Sequence, residues 1–301
     1  MVLQFEVIDY TSGMDIWLAW IAAIVTGFEA IIIKMTSRSL IRNPWLFNVL
    51  WLSFALPPIT LLAVLQGGAW PQTWWPIVLT ALFSAGFYAL YTLAIYRLDV
   101  TTVAPLFSLR TVIAVLLGMV FLDESFSGLA IVLMLVIILA SPLASFDEKL
   151  RLHAFYRQHV FLAIAAMASL AVMGYFTNRS VAANGYATTV LWQDLLTLAL
   201  LLPTLRFARW RSEWHPSRKT FAAFVLLGLC SFGYTATTVY AYAHALSLSS
   251  IIVSLPFSMV FAWLLSFRYP KLLEKHPPRV YIVRFSGAAI TVGSAIWLSL
   301  L

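Results

Sequence analysis

Long apolar runs constrain this chain more than any other feature of its sequence. A helix rises about 1.5 Å per residue, so it needs about 20 mostly apolar residues to cross a hydrocarbon core about 30 Å thick. Ten such runs can be marked off, at residues 16–33, 46–65, 74–96, 101–121, 129–145, 159–177, 187–205, 220–244, 249–267 and 280–301. The sequence therefore predicts an all-α integral membrane protein with ten transmembrane helices and no soluble domain.

The composition also argues against an enzyme. Hydrophobic residues make up 62% of the chain and charged residues 10%, against roughly 25% charged in a soluble domain. The single cysteine, Cys230, lies in an apolar run, and the histidines lack metal-ligand spacing. The sequence contains no HExxH motif, no phosphate-binding glycine loop and no cluster of carboxylates. We therefore expect no catalytic residue, no metal and no cofactor.

The basic residues are distributed unevenly between the two sides of this ten-span topology. Of the nineteen lysines and arginines, seventeen lie on one side; Arg179 lies on the other and Arg110 within a span. Because basic loops stay in the cytoplasm, both termini are expected on the non-cytoplasmic side of the plasma (inner) membrane. Membrane topology thus explains the net charge of +7, and no nucleic-acid partner is expected. The basic segment 206–219 could additionally bind anionic lipid headgroups.

The chain also contains an internal repeat. A shift of 147 residues places Trp45 over Trp192, and a shift of 148 places residues 98–118 over 246–266. Each half then holds five spans, and because five is odd the second half crosses the membrane in the opposite sense. Inverted repeats with a site at their interface are a transporter architecture. The expected units are a first five-helix repeat (1–145), a cytoplasmic linker (146–158) and a second, inverted repeat (159–301).

Three segments resemble a known family: "GFEAIIIK" from Gly27, "YTLAIYRLDVTTVAPLFSLRTVIAVLLGMVFLDE" from Tyr91, and "YAHALSLSSIIVSLPFSMVFAWLLS" from Tyr242. They are similar to the two EamA-type repeats of the drug/metabolite transporter (DMT) superfamily. The resemblance implies the EamA/DMT fold, with a central cavity lined by helices one, three, four, six, eight and nine. The chain departs from the family pattern where the acidic end of helix four, Glu124, has the basic "FRYPKLLEKHPP" as its counterpart. Many members are also thought to keep both termini in the cytoplasm, against the charge count.

Two charged residues lie deep within predicted spans. Arg110 is about nine residues into the fourth span and Glu29 about thirteen into the first, where a charge costs about 2.5 to 3.5 kcal/mol. The repeat aligns them with Ser258 and Phe176, so the shared scaffold does not require either charge. In one interpretation they form a structural ion pair. In the other they bind opposite charges of a polar or zwitterionic substrate, or Glu29 exchanges a proton during transport.

Other polar residues within the spans are further candidates. Tyr88 and Tyr91 in helix three, and Tyr234 and Thr238 in helix eight, lie on helices that the resemblance places at the cavity. These hydroxyls either line the cavity or join neighbouring helices by hydrogen bonds. The predicted substrate-binding residues are Glu29, Arg110, Tyr88, Tyr91, Tyr234, Thr238 and Ser258.

Three more residues and two prolines have structural interpretations. Asp194, about seven residues into the seventh span, is expected to face a neighbouring helix or to extend toward the interface. Lys34 and Arg179 end their helices and are expected to anchor them at the interface. Pro105 and Pro256 mark places where the fourth and ninth helices can bend.

The predicted function is secondary transport by alternating access. The cargo would be a small polar or zwitterionic organic metabolite, amino-acid-like or an amine, moved by export or exchange with H⁺ or a counter-substrate as the coupling partner. The alternative is a flippase for a lipid-linked or amphipathic substrate on the same fold. The protein is either a monomer or a homodimer that packs through the small residues Ala289 and Gly293.

Overall fold

The structure is a computed structural model. It describes residues 13–98, 107–122, 126–144, 158–208, 217–244, 246–255, 257–266 and 278–298. These residues form eleven α-helices and one 3₁₀ turn, with no β-strand among them. In chain order the helices are α1 (Gly13–Ser39), α2 (Pro44–Leu65), α3 (Trp74–Arg97), α4 (Phe107–Phe121), α5 (Gly128–Ala144), α6 (Gln158–Asn184), α7 (Tyr186–Leu201), α8 (Arg218–His244), α9 (Leu246–Val253), α10 (Phe257–Ser266) and α11 (Pro278–Leu298).

Seven segments of the described chain are long and apolar enough to cross a membrane. One of them, Leu246–Leu265, includes both α9 and α10. Three shorter apolar helices lie at Arg110–Phe121, Gly128–Ala140 and Phe285–Leu298. The protein is therefore an integral, multi-pass membrane protein. Each of these ten segments overlaps one of the ten predicted spans, and seven of them are long enough to cross a membrane.

The predicted ninth span is divided into two helices. α9 ends at Val253, and Ser254 and Leu255 form a turn before α10 begins at Phe257. Thr111 of α4 donates a hydrogen bond to the Ser254 hydroxyl at 2.8 Å, which gives this turn a polar partner within the bundle. Pro105, Pro256 and Glu124 lie outside the described residues.

Two helix starts follow local sequence rules. At α2 the Asn43 side chain accepts hydrogen bonds from the amides of Trp45 and Leu46, at 3.0 and 3.2 Å, and Pro44 occupies the first turn. Asparagine caps a helix N-terminus well, and proline needs no amide partner there. Gly185, with φ of 78°, makes the turn between α6 and α7. Glycine adopts this left-handed conformation at no steric cost.

Nine pairs of helices account for most of the packing. The most extensive contacts are α3 with α6, α1 with α8, and α5 with α11. α2 packs on α7 and α8, α3 also packs on α7, and α4 packs on α6 and α9. α1 also packs on α10. The buried side chains of α2, α3 and α8 meet in the centre, around Phe47, Trp51, Tyr88 and Phe224.

The outside of the bundle is apolar. Large hydrophobic side chains such as Leu65, Leu139, Phe161 and Phe221 are more than half exposed. An apolar exterior of this extent fits a protein surrounded by lipid.

Candidate functional site

Two adjoining cavities lie inside the bundle. The first, the Asp194 cavity, has a volume of about 20 Å³ and is lined by α3, α6, α7 and α8. The second, the Glu29 cavity, also has a volume of about 20 Å³ and is lined mainly by α1, α2, α3 and α8. The side chains that belong to both cavities, here called the shared wall, are Phe87, Tyr88, Leu170 and Tyr234.

Glu29 is held by a chain of hydrogen bonds between three helices. The Trp51 indole N–H of α2 donates to the Ser231 hydroxyl of α8, and that hydroxyl donates to the Glu29 carboxylate of α1. Glu29 is only 6% exposed, so these donors replace water around it. The Trp51 ring also meets the Tyr88 ring edge to face, with centroids 4.7 Å apart. Glu29 therefore faces its cavity while one of its oxygens is bound by the protein.

Arg110 is 1% exposed, and no guanidinium nitrogen has a hydrogen-bond partner among the described residues. Its Cζ lies 5.3 Å from the centroid of the Tyr242 ring, within the range of a cation–π contact. Tyr234 interacts with it electrostatically without reaching hydrogen-bond geometry. The structure therefore contains no ion pair between Arg110 and Glu29, and the structural ion-pair interpretation has no support in its geometry.

Asp194 lies in the cavity that carries its name. It is 2% exposed, which agrees with the predicted position facing neighbouring helices and not with extension toward the interface. Its Oδ1 accepts a long hydrogen bond, 3.5 Å, from Gln193 Nε2, and its Oδ2 has no hydrogen-bond partner in the part of the chain that the structure describes. The structure thus adds to the site a carboxylate that was not among the predicted substrate-binding residues.

The predicted site residues fall into four groups. Glu29 and Tyr91 line the Glu29 cavity, Tyr88 and Tyr234 line both cavities, and Thr238 lines the Asp194 cavity. Arg110 contacts the ring of Tyr242, a lining residue of the Asp194 cavity, without lining either cavity itself. Ser258, on α10, also lines neither.

Lys34 has a different role from the predicted interface anchor. It is 8% exposed, and its ammonium donates to the carbonyl oxygens of Ile95 and Leu98 at 2.9 and 2.6 Å. These carbonyls lie at the C-terminal end of α3, where helical partners run out and a cation is favoured by the helix dipole. Lys34 therefore caps α3 from inside the bundle.

Asn178 of α6 does the same for α8. Its amide donates to the carbonyl oxygens of Tyr242 and Ala243, at 2.8 and 3.1 Å. The next residue, Arg179, is exposed and donates to the carbonyl of Phe121 at the end of α4, at 2.7 Å. Both side chains satisfy carbonyl groups that lipid could not.

The site contains side chains that could bind charged and polar groups. No group of three or more His, Cys, Asp or Glu that could hold a metal ion occurs within the described ranges. The cavities present two carboxylates and several hydroxyls, and a guanidinium lies next to them. Such a set suits reversible binding of a polar organic molecule.

Comparison with known proteins gives one family and one fold. Residues 13–146 match the EamA-like transporter family. No curated protein matches the chain significantly. Among 27 matching chains of solved structures, one described as "Crystal structure of protein" has a TM-score of 0.64 at 16% identity, covering 91% of this chain and 94% of that chain. At that identity the likeness shows a shared fold over nearly the whole length.

Proposed function

We propose that the chain is a secondary transporter of the drug/metabolite transporter superfamily, because residues 13–146 match the EamA-like transporter family. Its cargo is a small polar or zwitterionic organic metabolite, such as an amino acid or an amine, and it works by alternating access. The observation that carries the proposal is a buried guanidinium without a hydrogen-bond partner in the described chain, next to a cavity with an equally buried carboxylate. Such charges in a membrane usually serve a pathway or a ligand.

The helix contacts support two inverted five-helix repeats as the architecture of this transporter. In an inverted repeat, each contact between two helices has an equivalent contact in which the two halves are exchanged. The contact of α1 with α8 is equivalent to that of α6 with α3, and the contact of α2 with α8 to that of α7 with α3. The contact of α1 with α10 is equivalent to that of α6 with α4. All six of these contacts occur. The pairs α2 with α7, α4 with α9 and α5 with α11 map onto themselves and also occur.

The helix caps support the same repeat. Lys34 donates to the carbonyl of Ile95, and Asn178 donates to the carbonyl of Ala243. Ile95 and Ala243 are 148 residues apart, which is the shift that aligns the two halves over this region. Each half therefore has a polar side chain from its first helix on the end of its third, in units that we assign to residues 1–145 and 159–301 with a linker at 146–158.

Both cavities receive residues from both of these halves. The Asp194 cavity takes Tyr88 from the first half and Tyr234 from the second, and the Glu29 cavity takes Glu29 from the first and Leu170 from the second. Carriers with inverted repeats bind substrate at such an interface, because rocking one half against the other exposes the site alternately to the two sides. We assign Glu29, Arg110, Tyr88, Tyr91, Tyr234 and Thr238 to this site, and Ser258 to the repeat position that matches Arg110.

The surroundings of the protein complete the proposal. We place it in the plasma (inner) membrane with both termini outside the cytoplasm, acting in export or exchange as a monomer or homodimer. The support is the partition of seventeen basic residues onto one side of a ten-span topology. Glu29 is the group assigned to proton coupling, since it is a buried carboxylate that faces a cavity.

Counterflow in liposomes tests this function. Purified protein is reconstituted into liposomes preloaded with amino acids, amines or phosphorylated metabolites, and uptake of the same labelled compound is followed. We expect at least one amino acid or amine to exchange faster than in protein-free liposomes. If no compound exchanges or stabilises the protein, while a lipid-linked sugar raises its unfolding temperature, the protein is a flippase instead.

A further inference from the structure

We infer that Asp194, and not Glu29, holds the cationic group of the cargo, whose anionic group is directed toward Arg110. This inference rests on the proposed transport function and adds to it a binding residue and an orientation. The cargo is then a zwitterion with its ammonium and carboxylate on one short carbon skeleton, as in a neutral α-amino acid.

The first step concerns the hydrogen bonds that Asp194 lacks. Its Oδ2 is buried and has no donor among the described residues, and leaving such a group unsatisfied is costly. Thr238 Oγ1, in the same cavity, is also buried and without a partner there. An alkylammonium offers three N–H donors, so one such group could satisfy both oxygens.

The second step compares the two carboxylates. Glu29 accepts a hydrogen bond from Ser231, which is itself bound by Trp51. Asp194 has the long bond from Gln193 on one oxygen and a smaller interaction with the Thr235 hydroxyl. The protein thus already stabilises a charge on Glu29, whereas the charge on Asp194 lacks a strong donor. Of the two acids, Asp194 is the one whose environment a bound cation would complete.

The third step places the anionic end of the cargo. Tyr234 and Tyr242 both line the Asp194 cavity, and the Arg110 guanidinium interacts with both of them. A guanidinium pairs with a carboxylate through two parallel N–H bonds, and its nitrogens have no such partner in the described protein. A carboxylate that enters between these rings would therefore meet Arg110.

The fourth step concerns the remaining wall of the cavity. Leu170, Met173 and Val239 give it an apolar side, where the side chain of an aliphatic amino acid would avoid water. The site accordingly presents an acid, an adjacent base and an apolar surface, which matches the three parts of leucine. The cavity has a volume of about 20 Å³ in this conformation, so the helices around it must move apart to admit leucine. Leucine is the probe for the test because two simple compounds each lack one of its charged groups.

The test measures binding of leucine, isopentylamine and 4-methylpentanoate to the purified full-length protein by titration calorimetry. The amine lacks the carboxylate of leucine, and the acid lacks its ammonium. We expect the wild type to bind leucine at least tenfold more tightly than either fragment, since a hydrogen bond to a charged group contributes about 1.5 to 3 kcal/mol.

The variants assign each charge to its residue. Asp194→Asn should weaken the binding of leucine and of isopentylamine at least tenfold and leave the binding of 4-methylpentanoate unchanged. Arg110→Gln should weaken the binding of leucine and of 4-methylpentanoate and leave the binding of isopentylamine unchanged. Ser286→Ala, at an exposed position of α11 that lines neither cavity, is the control and should leave leucine binding unchanged. Thr238→Val keeps the side-chain shape and should weaken the binding of leucine severalfold. It replaces Asp194→Asn in the test if that variant is unstable without ligand.

Several results would overturn the inference. It is wrong if Asp194→Asn and Thr238→Val both bind leucine like the wild type, or if Glu29→Gln abolishes leucine binding and Asp194→Asn does not. It is also wrong if the wild type binds none of the three probes while another compound of the liposome panel exchanges, which would leave the transport function intact. Failure of every compound in both experiments would contradict the transport function itself.

Discussion

Single residues in this bundle show what the cost of a charge in a membrane can and cannot predict. Because insertion is expensive, the sequence alone marked Glu29 and Arg110, and the structure buries both. The sequence did not identify Asp194 as a cavity residue, since the direction of a side chain depends on the rotation of its helix. Nor could it find Ser231, a common residue whose role depends on Glu29 and Trp51 from two other helices.

Replacing Ser231 tests the hydrogen-bond chain. Ser231→Ala leaves the Glu29 carboxylate and the Trp51 indole N–H without the partner they share, so we expect the free energy of unfolding to fall by about 1 to 3 kcal/mol. Thermal unfolding in detergent measures the change. Ser286→Ala, at an exposed position of α11, is the control and should unfold like the wild type. Equal stability of the two variants would show that the chain contributes nothing.

Replacing Glu29 tests proton coupling. Glu29→Gln keeps an oxygen to accept the Ser231 hydrogen bond but cannot exchange a proton, so the fold should persist. We expect uptake driven by a pH gradient to be lost, while counterflow without a gradient continues at a rate within about threefold of the wild type. Gradient-driven uptake by the variant would exclude Glu29 as the coupling group.

At the scale of helices, the sequence predicts well which helices exist and where they lie. It predicts poorly where a helix is interrupted or how far it extends. The apolar runs located α2 and α3 to within a residue at their C-terminal ends, because the hydrocarbon thickness sets a narrow range of lengths. α6 continues to Asn184, beyond the run that ended at 177. Its last turns are polar, and their contacts with other helices, such as those of Asn178, are tertiary and so invisible to a hydropathy pattern.

The cap on α8 can be tested separately from the helix that supplies it. Asn178→Leu removes the donor to the Tyr242 and Ala243 carbonyls, so we expect a loss of about 1 to 3 kcal/mol in unfolding free energy. Arg179→Leu changes the adjacent, exposed side chain and should cost less, because an exposed hydrogen bond contributes less to stability than a buried one. Thermal unfolding of both variants measures the two losses. A larger loss of unfolding free energy for Arg179→Leu than for Asn178→Leu would contradict the capping role of Asn178.

Close packing of α2 against α8 makes a second prediction at this scale. A Cβ on Gly228 would lie 2.5 Å from the Phe54 carbonyl oxygen and 3.0 Å from the Ala55 amide nitrogen, both of them backbone atoms. Gly228→Ala should therefore destabilise the protein by about 1 to 3 kcal/mol. Gly86→Ala, where the nearest atom is Ser169 Oγ at 3.5 Å, is the matched control and should be tolerated. Similar unfolding temperatures would show that the two helices can separate at little cost.

For the whole molecule, composition and repeat together indicated the class of architecture, and residues 13–146 match the EamA-like transporter family. The arrangement of helices into two adjoining cavities could not be read from the sequence, because it depends on which faces meet across the halves. Ala289 and Gly293, the residues suggested for a dimer contact, are both exposed on α11. That surface remains available to a second copy of the chain.

Membrane orientation is a prediction about the whole molecule. If basic loops are cytoplasmic, a protease-cleavable tag on the C-terminus should be cut by protease added to intact cells. A tag inserted in the basic loop 209–216 is the control and should be cut only after the membrane is opened. The reverse pattern would place both termini in the cytoplasm and contradict the charge count.

The shared wall has a consequence for the cell's energy supply. Phe87, Tyr88, Leu170 and Tyr234 separate two polar cavities inside one bundle, so a file of water molecules running from one cavity to the other would have to pass these side chains. Each proton that crosses a membrane dissipates about 2.3 kcal/mol per 100 mV of potential. If the protein transports as proposed, we expect this wall to limit the leak of protons between the two cavities in this conformation.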